Sequence, residues 1–238
     1  GRLIGLVFLL PFIFFVTKGW LPKQLVKKCI VMFFLGGLQG LLGWYMVKSG
    51  LVDDPRVSHL RLAAHLITAT ILFGYILWVA LDVLMENPKN VINSRGLRLF
   101  ARGLFLLLLI QIVYGAFVAG LKAGLVYNTF PKMGEYWVAD GVTAITPLWL
   151  NFVEGLAGVQ FTHRYLAYAV VAFVFIIWLI ARRLILSKEQ QIIVEILMVV
   201  VVMQFILGVL TLLNAVPFSL AILKDGKKKI GKRLYAVS

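Results

Sequence analysis

The sequence is poor in the side chains from which disulfide bonds and clustered metal sites are built. Its 238 residues include one cysteine, Cys29, three histidines and ten acidic residues. A single cysteine excludes an intramolecular disulfide and a thiolate metal cluster. Zinc is also poorly supported, because a zinc site needs three or four protein ligands close together. The histidines are therefore the remaining candidates for binding a metal-containing cofactor.

Apolar residues, in contrast, are abundant. They make up 61% of the chain, and the mean hydropathy is +0.95, whereas globular domains contain about 45–50% apolar residues. Backbone groups cannot stay unpaired in lipid, so apolar runs of this kind form helices. The sequence therefore predicts an all-α polytopic membrane protein with about six to seven spans. The apolar runs occupy residues 3–16, 29–47, 60–84, 97–121, 159–180 and 192–213.

The formal net charge of +14 follows a membrane topology and does not indicate nucleic-acid binding. Basic residues cluster in alternate connections, whereas the long connection 122–158 is nearly balanced in charge. Basic connections of membrane proteins stay in the cytoplasm. We therefore expect connections 48–59 and 122–158 on the outer side of the membrane. The basic clusters are Lys18, Lys23, Lys27 and Lys28; Lys89, Arg95, Arg98 and Arg102; and Arg182, Arg183 and Lys188.

Short strings recur along the chain. The spacing Gln-x-x-x-Gly occurs inside three spans, at residues 39–43, 111–115 and 204–208. The string that begins at His163 also overlays on the first residues of the chain. These matches predict a pseudo-twofold repeat of two four-helix bundles, although short apolar strings also resemble one another by chance. The predicted divisions are 1–94 for an N-terminal half incomplete at its start, 95–223 for a C-terminal half, and 224–238 for an aberrant basic tail.

Two histidines lie near the outer ends of predicted spans, and each has an arginine nearby. Arg61 precedes His65 by one helical turn, and Arg164 directly follows His163. Imidazole is a common axial ligand of haem iron, and arginine pairs with carboxylates such as haem propionates. The pattern favours haem, with interhelical hydrogen bonding by each histidine as the alternative. Small residues beside the histidines leave room for a flat cofactor: Ala63, Ala64, Ala69, Ala167 and Ala169.

Other polar positions have open interpretations. His59 is predicted in the loop before the third span, as an ordinary exposed or interfacial residue. Asn151 and Glu154 either orient a ligand or cap the helix that follows them. The stretch 121–137 either lines a ligand cavity or forms an interfacial loop with an aromatic belt.

Strings spread along almost the whole chain resemble the haem A synthase family. The resemblance covers residues 1 to about 223 and is closer to the form of α-proteobacteria and mitochondria than to the form with paired loop cysteines. The matching strings are "GRLIGLVFLLPF", "GGLQGLLGWYMVKSGL", "VSHLRLAAHL", "ARGLFLLLLIQIVYGAFVAGLKAGLVYNTFPKMG" and "PLWLNFVEGLAGVQFTHRYLAY". "GWYMVKSGL" and "YNTFPKMG" are the most specific of them.

This resemblance implies an eight-helix protein in which two haems each lie between two histidines on facing helices. The first half holds the substrate haem O, and the second half holds haem b. His163 matches an axial ligand of haem b, with Arg164 near its propionates. His65 matches a histidine of the substrate half, with Arg61 beside it. The implied activity is oxidation of the C8 methyl group of haem O to a formyl group, which makes haem A for cytochrome oxidase.

Both ends of the chain depart from the family's pattern. The chain opens inside an apolar run, so we interpret residue 1 as a cut that removes the family's first histidine and a candidate catalytic glutamate. The family's last histidine falls where this chain reads Leu223-Lys224-Asp225. Lys224 would have to be neutral to ligate iron, which its charge at neutral pH opposes. We therefore expect a fragment that lacks the first helix and most of the last, and that is inactive alone.

Two other functions stay open. One is a di-haem b-type membrane electron carrier without substrate turnover, and the other is a transporter or inert helical fragment without haem. The expected location is the bacterial inner (cytoplasmic) membrane, with the haem sites toward the periplasm. The expected partners are membrane lipid, haem O and, by analogy, haem O synthase or a second copy of the chain.

Overall fold

The computed structural model describes residues 2–50, 58–84 and 94–214. Within these ranges the chain forms six α-helices and three short 3₁₀ helices, and no β-sheet, which confirms the predicted all-α class. The α-helices are α1 (Arg2–Thr17), α2 (Lys23–Gly50), α3 (His59–Leu84), α4 (Arg95–Leu121), α5 (Leu156–Arg182) and α6 (Lys188–Asn214). The 3₁₀ helices are Ala123–Leu125, Asp140–Thr143 and Leu148–Phe152.

Five of the described helices, α2 to α6, are long and apolar enough to cross a membrane. The chain is therefore an integral membrane protein. Helix α1 has 16 residues, fewer than the roughly 20 that a bilayer core requires, so five of the six predicted runs reach spanning length. The predicted seventh span, Lys224 and the tail 224–238 lie outside the described residues, as does most of the 48–59 connection.

The helices extend beyond the apolar runs that predict them. Helix α2 begins at Lys23, ahead of the run 29–47, with Pro22 accepting the first backbone hydrogen bonds from Leu25 and Val26. Lysine stems lie along an apolar helix while their ammonium groups stay in water, so basic residues do not end a helix at the membrane surface.

The prediction that His59 lies in a loop is wrong, because His59 is the first residue of α3. The carbonyl of Ser58 accepts the N–H of Leu62 and so opens the helix. The His59 ring packs edge-on against Phe117 of α4, with 5.0 Å between ring centroids. Gly120 of α4 permits this contact, since a Cβ at that position would stand 2.7 Å from the His59 Cα.

Helices α4 and α5 form the centre of the described structure, and each helix packs against the next along the chain. One core cluster joins α3, α4 and the start of α5 through Ala63, Ala116, Phe117, Ala123 and Val159. A second joins α4, α5 and α6 through Leu104, Val170, Val174 and Ile177, with Leu197 and Val201 packed against them. Helices α3 and α4 pack against each other across residue 94, where the predicted N-terminal half ends. The division into two halves and the internal repeat both stay predictions.

Residues 122–155, the α4–α5 loop, fold against the start of α5. The loop has its own buried cluster of Met133, Ala139 and Val142, which packs on Ala157 of α5. Asn151, fully buried, accepts the N–H of Ile145 and donates to the carbonyls of Ile145 and Leu148. The loop is therefore an ordered layer at one end of the central helices.

Candidate functional site

An apolar cavity of about 830 Å³ lies between α4, α5 and α6. Its walls are mostly aliphatic, as at Leu108, Ile112, Val170 and Val201. Pockets of about 300–1,000 Å³ accommodate cofactors and drug-sized ligands. The spans thus enclose a space suited to a large apolar ligand with a few polar groups.

His163 of α5 lines this cavity. Its ring lies against Gly115 of α4, where a Cβ would stand 3.4 Å from Cε1, and it also approaches the backbone of Gln111. The buried Nδ1 has no hydrogen-bond partner among the described residues. A buried polar atom without a partner is costly, so this nitrogen is suited to bind a ligand.

Arg164 faces the α4–α5 loop. It is 8% exposed, and its Nη1 donates to the carbonyls of Thr129 at 2.8 Å and Lys132 at 3.3 Å, while Nη2 donates to the carbonyl of Tyr127 at 2.5 Å. Nε has no partner within the described ranges. The guanidinium therefore ties the loop to α5. Its pairing with propionates stays a prediction, which Nε–H and the second N–H of Nη2 could serve.

Further polar residues in the cavity wall escape notice in the sequence. Gln160 is 2% exposed and donates from Nε2 to the Tyr127 carbonyl at 2.9 Å. Together with Arg164 and Tyr168 it follows a spacing of one helical turn, a signal that is present in the sequence. Five buried polar atoms of the wall have no described partner: Gln111 Oε1, Gln160 Oε1, His163 Nδ1, Arg164 Nε and the Tyr168 hydroxyl.

His65 occupies a different place, between α2 and α3. The Nε2 atom of Gln39 lies 3.2 Å from both of its ring nitrogens and donates to its backbone carbonyl, also at 3.2 Å. Gly43 of α2 lies against Cε1, because a Cβ there would stand only 3.0 Å away. The guanidinium of Arg61 stacks on Tyr45, 5.4 Å from the ring centroid. The cavity lining includes His163 and Arg164 but neither His65 nor Arg61.

The structure of the α4–α5 loop bears on the interpretations that the sequence leaves open for residues 121–137, Asn151 and Glu154. Gly124 and Phe130 line the cavity, as one reading of 121–137 predicts, while Tyr136 and Trp137 are exposed, in keeping with the other reading. Neither role predicted for Asn151 is found, because its side chain bonds within the loop and the N-cap of α5 is Gly155. Glu154 is exposed, and its role stays open.

Fold and cavity together define a polytopic helical membrane protein with a histidine in a cofactor-sized space within the helices. Residues 1–225 match the family model COX15-CtaA, described as cytochrome oxidase assembly protein. The chain belongs to this family, which confirms the resemblance on the motifs above. No solved structure matches the chain.

Curated relatives carry the name "Heme A synthase". One from Flavobacterium johnsoniae is 46% identical over 225 residues, covering 94% of this chain and 66% of that protein. One from Parvibaculum lavamentivorans is 48% identical over 183 residues, covering 77% and 53%. The Homo sapiens protein "Heme A synthase COX15" is 42% identical over 229 residues, covering 93% and 56%. The chain thus spans less than two thirds of the relatives that it matches.

Proposed function

We propose that this protein acts in haem A synthesis and oxidises the C8 methyl group of haem O to a formyl group. The observation that carries the proposal is His163, which lines an apolar cavity of about 830 Å³ and has a buried Nδ1 without a described partner. The names of the relatives agree with this function.

The residues around the cavity fit a bound haem b. His163 would supply an imidazole ligand to the iron, since neutral imidazole is a common axial ligand. The Arg164 Nε–H and the Tyr168 hydroxyl, both without a described partner, could donate to the propionate carboxylates at the polar edge of the macrocycle. When bound, haem supplies one-electron redox chemistry. The α4–α5 loop, held by Arg164, contributes Gly124 and Phe130 to the wall of the cavity.

His65 is assigned to the substrate haem O, with Arg61 beside it. Gln39 steadies the His65 ring from α2, so the chain supplies a positioned imidazole for a second haem. We place the protein in the bacterial inner membrane, with both histidines toward the periplasm, because each lies near the end of its helix that follows a connection of nearly balanced charge. The expected partners are haem O and, by analogy, haem O synthase or a second copy of the chain.

The experiment is haem analysis of the purified 238-residue chain and its three histidine variants. His163→Ala is expected to lose the b-type absorption of the reduced protein, and His59→Ala to retain it, because His59 packs on Phe117 away from the cavity. His65→Ala is expected to retain haem b and to lose binding of added haem O.

A second measurement separates the enzyme from an electron carrier. A chain extended to the relatives' length is supplied with haem O, reductant and oxygen, and the haems are extracted and separated by chromatography. Formation of haem A supports the enzyme, whereas two permanently bound haems with no conversion would identify a di-haem electron carrier. Absence of haem from every variant would overturn both.

A further inference from the structure

The spacing Gln-x-x-x-Gly recurs on α2, α4 and α6. Residues four apart share one face of a helix, so each copy presents a glutamine amide and a gap one turn apart. In two of the copies that face meets a histidine of the next helix along the chain. Neither the assignment of haem ligands nor the general packing of small residues explains why the pairing repeats.

The first copy packs against His65. A Cβ on Gly43 would stand 3.0 Å from Cε1 of the ring, which is too close for the ring to stay in place. The Gln39 amide nitrogen is 3.2 Å from both ring nitrogens. An atom equally distant from the two nitrogens cannot lie along the in-plane lone pair of either one, so it lies over the ring face. Neighbouring Gly36, Gly37 and Gly40 have no described atom within 4 Å of a Cβ.

The second copy packs against the same ring carbon of His163, at a longer distance and with the backbone of its glutamine. Cε1 is again the nearest atom to the glycine, 3.4 Å from a Cβ on Gly115. The ring approaches the backbone of Gln111, and the Gln111 Oε1 atom is buried without a described partner. The same ring carbon therefore meets the same motif position in two separate helix pairs.

The third copy faces the cavity. Gln204 and Gly208 both line it, and no described atom lies within 4 Å of a Cβ on Gly208. The cavity wall also carries Gln160 Oε1 and Arg164 Nε, both buried without described partners. This copy thus presents a glutamine side chain and a glycine gap to the cavity that His163 also lines.

We propose that Gln-x-x-x-Gly is a seat for an iron-ligating imidazole: the glycine admits the Cε1 edge of the ring, and the glutamine position fixes the ring plane, through the side-chain amide at Gln39 and through the backbone at Gln111. Residues 39–43 seat His65, residues 111–115 seat His163, and residues 204–208 form a third seat that takes an imidazole from the cavity. The inference rests on the proposed function for the iron, while the contact itself is independent of haem. The glutamines and glycines are positioning residues, since they act through the rings.

The contact is tested without haem by nuclear magnetic resonance of the chain labelled with ¹³C at histidine Cε1. Three histidines give three signals, which His→Ala variants assign. Gly43→Ala is expected to shift the His65 signal alone, and Gly115→Val the His163 signal alone. Gly40→Ala and Gly40→Val are the matched controls on α2 and should shift neither. Unchanged signals in Gly43→Ala and Gly115→Val would overturn the seats.

The orienting role is tested in the haem-loaded chain by electron paramagnetic resonance of the ferric form, whose g values depend on the imidazole plane. Gly115→Val is expected to change the g values and to lower haem affinity at least tenfold, whereas Gly74→Val on α3, where a Cβ meets no described atom, changes neither. If the parent binds haem and Gly115→Val shows the same g values as the parent, the inference is overturned and the proposed function stays intact. A parent without haem, but with the carbon shifts present, would overturn the proposed function instead.

The third seat is tested by titrating the haem-loaded chain with imidazole and, in parallel, with carbon monoxide. Gly208→Val is expected to weaken imidazole binding at least tenfold and to leave carbon monoxide binding unchanged, because only the larger ligand needs the seat. Gln204→Leu is expected to weaken imidazole binding less, since the gap remains. Equal imidazole affinity in the parent and Gly208→Val would remove 204–208 from the proposal.

Discussion

The surroundings of His163 and His65 differ although the same motif contacts both rings. His163 lies among the central helices, beside an apolar cavity and beneath an ordered loop. His65 lies at the outer pair α2 and α3, where the apolar stretch of α2 has no buried residue. Within the described residues, the chain therefore encloses His163 more than it encloses His65.

Removing the arginine of each site is expected to show this difference most strongly. Arg164→Leu removes the Arg164 donor from the Thr129 carbonyl and one of two donors from the Lys132 carbonyl, and we expect it to lower the free energy of unfolding by about 3 kcal/mol. Arg61→Leu removes a stacking contact with Tyr45 and is expected to cost about 0.5–1 kcal/mol. Thermal unfolding in detergent measures both.

Limited trypsin digestion reports on the loop directly. In Arg164→Leu, cleavage after Lys132 should accelerate at least tenfold, while Arg164→Lys, which keeps the charge but offers a single donor group, should fall between the parent and Arg164→Leu. Equal stability losses in Arg164→Leu and Arg61→Leu would show that the α4–α5 loop does not depend on the buried guanidinium, and the contrast in enclosure would lose its basis.

The next largest effect is expected inside the loop. Asn151→Ala removes three hydrogen bonds from a fully buried side chain and is expected to cost about 2–3 kcal/mol. Asn128→Ala is the matched control, since Asn128 is only half-buried and makes two bonds, to the carbonyls of Gly124 and Leu212, and about 1 kcal/mol is expected. A loss for Asn151→Ala no greater than for Asn128→Ala, by thermal unfolding, would contradict the view of the loop as a folded layer.

A double-mutant cycle is expected to expose coupling between Gln160 and Arg164. Both donate to the carbonyl of Tyr127, at 2.9 and 2.5 Å, so either residue alone keeps that carbonyl paired. Gln160→Leu should therefore cost about 1 kcal/mol by itself, and the double variant about 1 kcal/mol more than the sum of the single variants. Gln160→Leu combined with Arg61→Leu is the control cycle and should be additive, because Gln160 lines the cavity and Arg61 does not.

The membrane class and the histidine–arginine pairs are predictable from sequence because they depend on local composition. Runs of apolar residues dictate helices in lipid, and a polar residue within such a run is conspicuous. The cavity is not predictable in this way, because it depends on how far α4, α5 and α6 stand apart. The binding of Arg164 to loop carbonyls is hidden as well, since backbone acceptors leave no trace in the residue types. The meeting of Gly115 with His163 needs the register of two helices, which the motif alone does not give.

The smallest effects are expected at the opposite ends of the helices, where the two regions are alike. Lys28 of α2 pairs with Asp82 of α3, and Arg182 of α5 pairs with Glu195 of α6 at 3.4 Å. The side chains of the first pair are 25% and 50% exposed and those of the second 65% and 51% exposed, so salt screens both pairs. Asp82→Asn is expected to cost about 0.5–1 kcal/mol and Glu195→Gln less, with both losses shrinking at high salt.

Neither variant should alter the Cε1 signals of His65 or His163, because the pairs lie at the far ends of the helices. A shift of either signal would show that the two ends are coupled, and enclosure at the histidine end would no longer account for the difference between the sites.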